Sequence, residues 1–232
     1  MKHVSRARAA WRTGDAGMTL VELLVSITIF GVLAVIVFAT VLSANNTGKA
    51  NATQNNLNEQ ARLVLNRITR ELRQAKQIDS VGFTGSTITS ITFEADFNGN
   101  GTIDDSTSDP EVLTYCWDPP NHRIMLTANE STPQPCDNSN ALPVIASDVS
   151  SFTVTLTSDL WQYDGACGAA ADGVVTWQEL DCAPLNQGVG NQNGSLDSIE
   201  LRNVDGVTIS TVVLKGSRQQ TYQTKVDLRN QA

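Results

Sequence analysis

An uninterrupted apolar run near the N-terminus constrains this chain more than any other feature. Residues 23–42 read LLVSITIFGVLAVIVFATVL and contain no charged side chain. Twenty such residues in a helix are long enough to cross a bilayer core of about 30 Å. The run therefore predicts a membrane-spanning helix, and a bitopic membrane protein with an uncleaved anchor is the simplest alternative.

The distribution of charge predicts the orientation of this helix. The chain of 232 residues has a formal net charge of −8, yet the segment before the run contains Lys2, Arg6, Arg8 and Arg12 against the single acid Asp15. Basic segments stay preferentially on the cytoplasmic side of a membrane. We therefore expect a cytoplasmic N-terminus and an extracytoplasmic C-terminal part. The acidic balance argues against nucleic-acid binding, which relies on basic patches.

A single carboxylate stands at the head of the apolar run. Residues 17–24 read GMTLVELL, so that Glu22 directly precedes the run. A charge in this position is costly in lipid and is usually functional. If the chain is cut after Gly17, the new α-amino group of Met18 lies one helical turn from Glu22. An ammonium and a carboxylate at this spacing can pair between subunits that pack side by side.

This stretch resembles the class III signal of type IV prepilins and type II secretion pseudopilins. In that signal, a short basic leader and a glycine precede a hydrophobic residue, the sequence Thr-Leu-hydrophobic-Glu-Leu-Leu and an apolar helix. Met18 stands where Phe is commoner. The resemblance implies cleavage after Gly17 by prepilin peptidase, N-methylation of Met18 and a role for Glu22 in assembly. It also implies other major and minor pilins and an inner-membrane assembly platform with its ATPase as partners.

Beyond the run, apolar residues first recur at helical spacing and then alternate. One stripe of an amphipathic helix, predicted over residues 57–77, consists of Leu57, Ala61, Val64, Ile68, Leu72 and Ala75. After Asp79 the period becomes two, which predicts strands. The expected strands span residues 87–93, 111–117, 123–127, 151–156, 199–204, 208–215 and 223–229. A helix followed by strands is an α+β pattern, and it is also the pilin-like fold, a long N-terminal helix packed on an antiparallel β-sheet.

The predicted organisation is a leader over 1–17, a transmembrane or filament-core helix over 18–43 and an extracytoplasmic head over 44–232. Residues 59–75 (EQARLVLNRITRELRQA) and 222–230 (YQTKVDLRN) resemble segments of PilW-like minor pilins and PulJ-like minor pseudopilins. The resemblance implies a minor type IV pilin that primes or caps pilus assembly. Such a protein resides in the bacterial inner membrane before assembly and in the periplasm or a cell-surface pilus afterwards. The alternatives are a minor pseudopilin of a type II secretion system and a calcium-dependent adhesive tip module.

Four cysteines follow the apolar run: Cys116, Cys136, Cys167 and Cys182. An even number in an extracytoplasmic region predicts disulfides. Four cysteines allow three connectivities, of which proximity in sequence favours Cys116–Cys136 and Cys167–Cys182. Since His122 is the only histidine after the leader, we expect neither a Cys/His zinc site nor an enzyme.

One polar loop has the spacing of a calcium-binding loop. Its oxygen-bearing residues at positions 1, 3, 5, 7 and 9, where position 7 offers its carbonyl, are Asp96, Asn98, Asn100, Thr102 and Asp104. Position 6 is a glycine, but position 12 is Thr107 instead of glutamate, so that Asp109 or Glu111 would have to fold back. The alternative is a turn rich in Asn and Gly whose side chains make Asx-turns.

A second loop has the other half of the same pattern. Asn191, Asn193, Asp197 and Glu200 stand at positions 3, 5, 9 and 12, but position 1 is Val189. Residues 172–179 form a third, weaker copy, in which Gly168 and Ala170 occupy positions 1 and 3. The sequence predicts calcium at the first two loops, with the second-loop ligands Asn191, Asn193, Asp197 and Glu200.

Overall fold

A computed structural model of the chain describes residues 18–106, 109–128, 136, 143–182, 189–215 and 218–228. The predicted leader, with Gly17, lies outside these residues. The chain divides into two compact units, Met1–Ala52 and Thr53–Ala232.

The first unit contains the beginning of helix α1 (Leu20–Leu72). The hydroxyl of Thr19 accepts a hydrogen bond from the N–H of Glu22 at 3.2 Å and so caps the first turn. Every side chain from Met18 to Lys49 is exposed. By length and composition, α1 is suited to cross a membrane.

The second unit is built on an antiparallel sheet. Its strands are β1 (Gln77–Thr84), β2 (Thr87–Glu94), β3 (Asp105–Ser106), β4 (Asp109–Pro110), β5 (Val112–Asp118), β6 (Arg123–Ala128), β7 (Val144–Ala146), β8 (Val149–Ser158), β9 (Val175–Thr176), β10 (Gly206–Lys215) and β11 (Arg218–Asp227). The main sheet has the order β11-β10-β8-β2-β5-β6-β7, while β1 pairs with β2 and β9 with β8. Two short helices, α2 (Trp177–Asp181) and α3 (Ser198–Leu201), lie between β9 and β10.

The C-terminal part of α1 packs on this sheet through the predicted stripe. Leu57, Ala61, Val64, Ile68 and Leu72 are buried, as is Ala75 just beyond the helix. They share one core with β2, β5 and β8, where the rings of Phe93 and Tyr115 stack with centroids 6.1 Å apart. The predicted α+β class, a long N-terminal helix on an antiparallel sheet, is confirmed.

The end of the amphipathic helix differs from the prediction. The sequence predicts a helix to Gln77, but α1 ends at Leu72 and Gln77 opens β1. The change begins at Lys76, whose N–H donates to the carbonyl of Glu94 at 2.7 Å and so joins the edge of β2. Pairing with β2 gives residues 77–84 backbone partners that a longer helix would have to forgo.

The strand predicted over 199–204 is wrong, because the chain forms helix α3 there. Asp197 accepts from the N–H groups of Ile199 and Glu200, and the Glu200 carboxylate accepts from the N–H of Asp197. This reciprocal capping box starts a helix. Leu201 is buried, as the predicted strand required. An alternating pattern this short does not distinguish a single helical turn from a strand.

The other predicted strands are present with small shifts of their ends. Residues 87–93, 111–117, 123–127, 151–156 and 208–215 fall in β2, β5, β6, β8 and β10, apart from Glu111, which precedes β5. The last predicted strand, 223–229, overlaps β11, but Arg229 lies outside the described residues. Strands β1, β3, β4, β7 and β9 were not predicted.

A polar contact lies within the buried interface between α1 and the sheet. The hydroxyl of Tyr115 donates to one carboxylate oxygen of Glu71, and Arg67 Nε lies 2.9 Å from the other oxygen. Tyr115 is fully buried, and Glu71 is nearly so. Burial, together with the hydrogen bond to Glu71, raises the pKa of Tyr115 well above its usual range. The folded chain therefore keeps this phenol protonated, which satisfies a buried carboxylate oxygen.

We predict that Tyr115→Phe lowers the free energy of unfolding of the second unit by about 1–3 kcal/mol, because it leaves a buried acceptor on Glu71 without a partner. The raised pKa makes this contribution full below pH 10.0, the ordinary tyrosine value, and progressively lost above it. Urea unfolding of the full chain in detergent, followed by tryptophan fluorescence, measures the change.

Tyr222→Phe is the matched control for this prediction. Its hydroxyl also bonds α1, donating to Asn58 Oδ1 at 2.5 Å, but Tyr222 is only half-buried. Water can replace its hydroxyl there, so we expect a smaller loss. Equal losses in the two variants would contradict the assignment of the cost to a buried acceptor.

Candidate functional site: the assembly segment and the acidic loops

The predicted assembly residues lie at the start of α1. Met18 directly precedes the cap Thr19, and Glu22 lies in the first helical turn. A carboxylate in the first turn interacts favourably with the helix dipole. Thr19 and Glu22 have the spacing of a capping box, which sequence reasoning missed although the Thr-x-x-Glu pattern was visible. Gly17, the predicted cleavage residue, lies outside the described residues.

The helix that follows presents apolar side chains on every face. Leu20 is 77% exposed, Phe30 73% and Val35 69%, and no stripe along this part of α1 is covered. A soluble amphipathic helix leaves one polar face in water, whereas a helix apolar all round requires an apolar environment. Lipid or neighbouring apolar helices can provide it.

The loop that begins at Asp96 brings the five predicted ligand residues together. The Asp96 carboxylate accepts from the N–H groups of Gly99 at 2.6 Å, Asn100 at 3.1 Å and Gly101 at 2.8 Å. The Asn100 amide donates to Asp104 Oδ2 at 3.0 Å, and its oxygen accepts from the N–H of Thr102 at 2.7 Å. Asn98 Oδ1 accepts from the N–H of Asn100 at 2.8 Å.

Glu111, which precedes β5, closes the Asp96 loop. Its Oε1 accepts from the N–H of Phe97 at 3.1 Å, and its Oε2 accepts from the N–H of Asp104 at 2.7 Å. Asp109 and Glu111 were the predicted substitutes for the glutamate at position 12, and Glu111 takes this place. Thr107 and the side chain of Asp109 lie outside the described residues. Because backbone N–H groups satisfy both carboxylates, these bonds suit a turn as well as a calcium loop, and calcium here stays a prediction.

In the loop that ends at Glu200, the residue at position 1 differs from the one that the sequence spacing indicated. Asp181, at the end of α2, accepts from the N–H groups of Asn193 at 3.1 Å and Gly194 at 2.9 Å. These are positions 5 and 6 of the loop, the same positions whose N–H groups bond Asp96 in the first loop. Asp181 therefore stands where Val189 was expected. Sequence reasoning missed it because the chain between Asp181 and Asn191 is longer than a contiguous twelve-residue pattern allows.

The remaining predicted residues of this loop converge with Asp181. The Asn191 amide donates to Asp197 Oδ2 at 2.5 Å, and Asn193 Oδ1 accepts from the N–H of Ser195 at 2.8 Å. Glu200 Oε2 accepts from the N–H of Asp197 at 2.9 Å. Burial raises the pKa of Glu200, and the charges of Asp197 and Asp181 raise it further, whereas the N–H groups of Asp197 and Asn191 lower it.

The third loop repeats the arrangement with Asp164 as its first residue. Asp164 accepts from the N–H groups of Asp172 at 3.1 Å and Gly173 at 2.9 Å, again positions 5 and 6. Glu179 Oε2 accepts from the N–H of Thr176 at 2.7 Å, and its Oε1 accepts from the N–H of Gly165 at 2.8 Å. Burial tends to raise the pKa of Glu179, but these N–H donors outweigh it and hold the pKa below its ordinary value.

All three loops thus share two features, although each was only a partial match by spacing. The first Asp accepts from the N–H groups at positions 5 and 6, and the closing Glu accepts from the N–H at position 9. Among the described residues, no three His, Cys, Asp or Glu side chains are grouped closely enough to hold a metal ion by themselves. Any cation site in these loops must therefore include amide or main-chain carbonyl oxygens. Asn and Asp side chains at odd-numbered loop positions can provide such oxygens to calcium.

The cysteines form the pairs that sequence proximity favours. Cys116 on β5 is bonded to Cys136, and Cys167 is bonded to Cys182 immediately after α2. No cysteine of the part of the chain that the structure describes is free. The second disulfide joins the Asp164 loop to the residue that follows Asp181.

Comparison with known families supports the N-terminal assignment. Residues 12–38 match the family "Prokaryotic N-terminal methylation motif", a type IV prepilin-like signal. No curated protein matches the chain. The match covers the start of the chain only, and it includes Gly17, Met18 and Glu22. It supports a type IV pilin-like or pseudopilin-like protein, for which the signal implies processing by prepilin peptidase and association with a membrane.

We predict no free thiol in the exported protein and four after reduction. The loops closed by the two bonds span 20 and 15 residues, and each bond should stabilise the second unit by about 3 kcal/mol on loop-closure grounds. Thiol titration of the denatured, unreduced chain checks the count. Four reactive thiols before reduction would show that the bonds do not form.

Proposed function

We propose that this protein is a minor type IV pilin of the PilW-like kind, a structural subunit that primes or caps pilus assembly. The observation that carries the proposal is the N-terminal methylation motif at residues 12–38, of which the part from Leu20 on lies on a helix with exposed apolar side chains on every face. The amphipathic continuation of that helix on an antiparallel sheet is the expected layout of a pilin.

In this proposal the leader, residues 1–17, is removed after Gly17 and Met18 becomes the N-methylated first residue. Residues 18–43 remain in the inner membrane until assembly, with the N-terminus inside and the head, residues 44–232, outside. The partners are prepilin peptidase, the assembly platform with its ATPase, and other major and minor pilins. The finished subunit is part of a periplasmic or cell-surface filament and has no catalytic role.

Glu22 has a proposed role in subunit docking. Its position in the first turn of α1, four residues after Met18, leaves it exposed. In an apolar filament core, an unpaired ammonium or carboxylate is strongly unfavourable. Pairing of Glu22 with the Met18 ammonium of a neighbouring subunit removes both penalties. The pair therefore favours a fixed stagger between adjacent helices.

A minor pseudopilin of a type II secretion system is the second candidate, because the same signal and the same helix serve both filaments. Deletion of the gene separates the two. Loss of surface pili with normal exoprotein secretion supports the pilin, whereas retained pili with periplasmic accumulation of secreted enzymes supports the pseudopilin.

We predict that Gly17→Val blocks processing, because a side chain at this position obstructs the approach of the peptidase to the backbone. Intact-mass measurement of the membrane fraction should find the full-length chain in the variant and a chain that begins at N-methylated Met18 in the wild type. Normal processing of Gly17→Val would contradict the assignment of the cleavage site.

We predict that Glu22→Leu inserts into the membrane but enters filaments at least about tenfold less efficiently, which corresponds to roughly 1.4 kcal/mol. Quantitative immunoblots of sheared filaments and membranes measure the ratio. Glu22→Asp, which keeps the charge, should partly restore incorporation, and Glu59→Leu, which removes an exposed carboxylate elsewhere on α1, should have no effect. Unchanged incorporation of Glu22→Leu would refute the pairing.

A further inference from the structure

Among the described residues of the three acidic loops, Glu200 has the one buried side-chain oxygen without a hydrogen-bond partner. Glu200 is 0% exposed, and its Oε1 is a buried atom with no hydrogen-bond partner. A buried carboxylate oxygen without a donor is costly. Its counterparts in the other two loops, Glu111 and Glu179, have donors on both oxygens.

The missing donor has a specific structural cause. In the first and third loops, Oε1 of the closing glutamate accepts from the N–H at position 2, which belongs to Phe97 and Gly165 respectively. The corresponding residue after Asp181 is Cys182, but its N–H donates to the carbonyl of Gln178 at 3.2 Å at the end of α2. Since α2 takes this donor, the only further N–H of the described residues that acts on the Glu200 carboxylate is that of Asn191, and it makes no hydrogen bond with Oε1. Oε1 is therefore free to bind a cation.

The groups around Glu200 are oxygen donors of the kind that bind a hard cation. The charges of Asp197 and Asp181 act on the Glu200 carboxylate, and both residues have carboxylate oxygens held by neutral N–H donors alone. Asn191 and Asn193 supply amide oxygens beside them. The negative charges of Asp181 and Asp197 thus repel that of Glu200 while only neutral donors offset them, and a divalent cation held with the help of the amide oxygens would relieve this repulsion.

We infer that Asp181, Asn191, Asn193, Asp197 and Glu200, with the main-chain carbonyl of Ser195, form a calcium-binding site that joins the end of α2 to the start of α3. Asp181 takes position 1, which the contiguous sequence pattern left to Val189, and Glu200 Oε1 becomes a ligand. The proposal concerns the second unit only and does not depend on the proposed role in a pilus.

The donor set selects calcium over other common ions. It contains six residues that offer oxygen and none that offers nitrogen or sulfur, which disfavours zinc. Calcium accepts six to eight oxygens in flexible geometry, whereas magnesium demands a strict octahedron and retains its waters. In the site, Asp197 exchanges the Asn191 N–H at 2.5 Å for the ion.

The test uses the full chain in detergent, stripped with chelator and titrated with calcium chloride by calorimetry. Glu200→Gln and Asp181→Asn should each abolish one binding event or weaken it at least about tenfold, because each removes a charged ligand. Asp227→Asn removes an equally charged but 83%-exposed carboxylate on β11 and should bind like the wild type. Asp96→Asn, in the first loop, should also leave this binding event intact.

Hydrogen–deuterium exchange on the wild type tests the site without any substitution. Calcium should slow exchange in the peptides that contain Asp181 and residues 191–201, compared with the same sample in chelator. The inference is overturned if the wild type binds no calcium up to millimolar concentration, if these peptides exchange equally with and without it, or if binding persists unchanged in both Glu200→Gln and Asp181→Asn. Calcium binding lost only in Asp96→Asn would place the ion in the first loop and also overturn it.

Discussion

The exposed apolar surface of the first part of α1 is the constraint on which the rest of the molecule depends. Burying one Leu, Val, Ile or Phe side chain stabilises by about 1.5–3 kcal/mol, and α1 exposes many such side chains between Leu20 and Leu42. This segment cannot remain in water, so the folded chain always needs lipid or a neighbouring helix. The same helix continues to Leu72, where only one stripe is apolar and the sheet covers it. One element therefore serves two environments, and its sequence changes character where the environment changes.

Sequence reasoning succeeded where the physical signal is local and periodic. The apolar run, the stripe from Leu57 to Leu72 and the strands with alternating burial need only neighbours in sequence to be recognised. It failed at Lys76, whose bond to Glu94 is set by strand pairing, and at residues 199–204, where one helical turn imitates a strand. The disulfides were predictable because short separations favour the observed pairs.

The acidic loops show why half of a site can be visible in a sequence and the other half not. Asn193, Asp197 and Glu200 are recognised by fixed spacing, because a glycine and a helix start hold them in one turn. Asp164 and Asp181 lie too far back in the sequence to match the twelve-residue spacing. Only the fold shows that they accept hydrogen bonds from the N–H groups at positions 5 and 6. The residue at position 1 of such a loop is therefore identified by its hydrogen bonds from the N–H groups at positions 5 and 6. This criterion does not depend on the length of the chain between them.

The acidic loops and the assembly segment are stabilised by different interactions, so the two proposals can be tested independently. The loops lie between β8 and β10 or before β5, and an unpartnered carboxylate oxygen such as that of Glu200 destabilises only the turn that buries it. At the calcium site that we propose, loss of the ion should therefore loosen α2 and α3 and leave the packing of Ile68 and Leu72 on the sheet intact. Loss of Glu22 leaves those loops unaltered, because its carboxylate lies in the first unit and becomes costly only when an apolar neighbour surrounds it. Because Glu22 and Glu200 lie in different units, subunit docking can be impaired while cation binding is preserved, and the reverse.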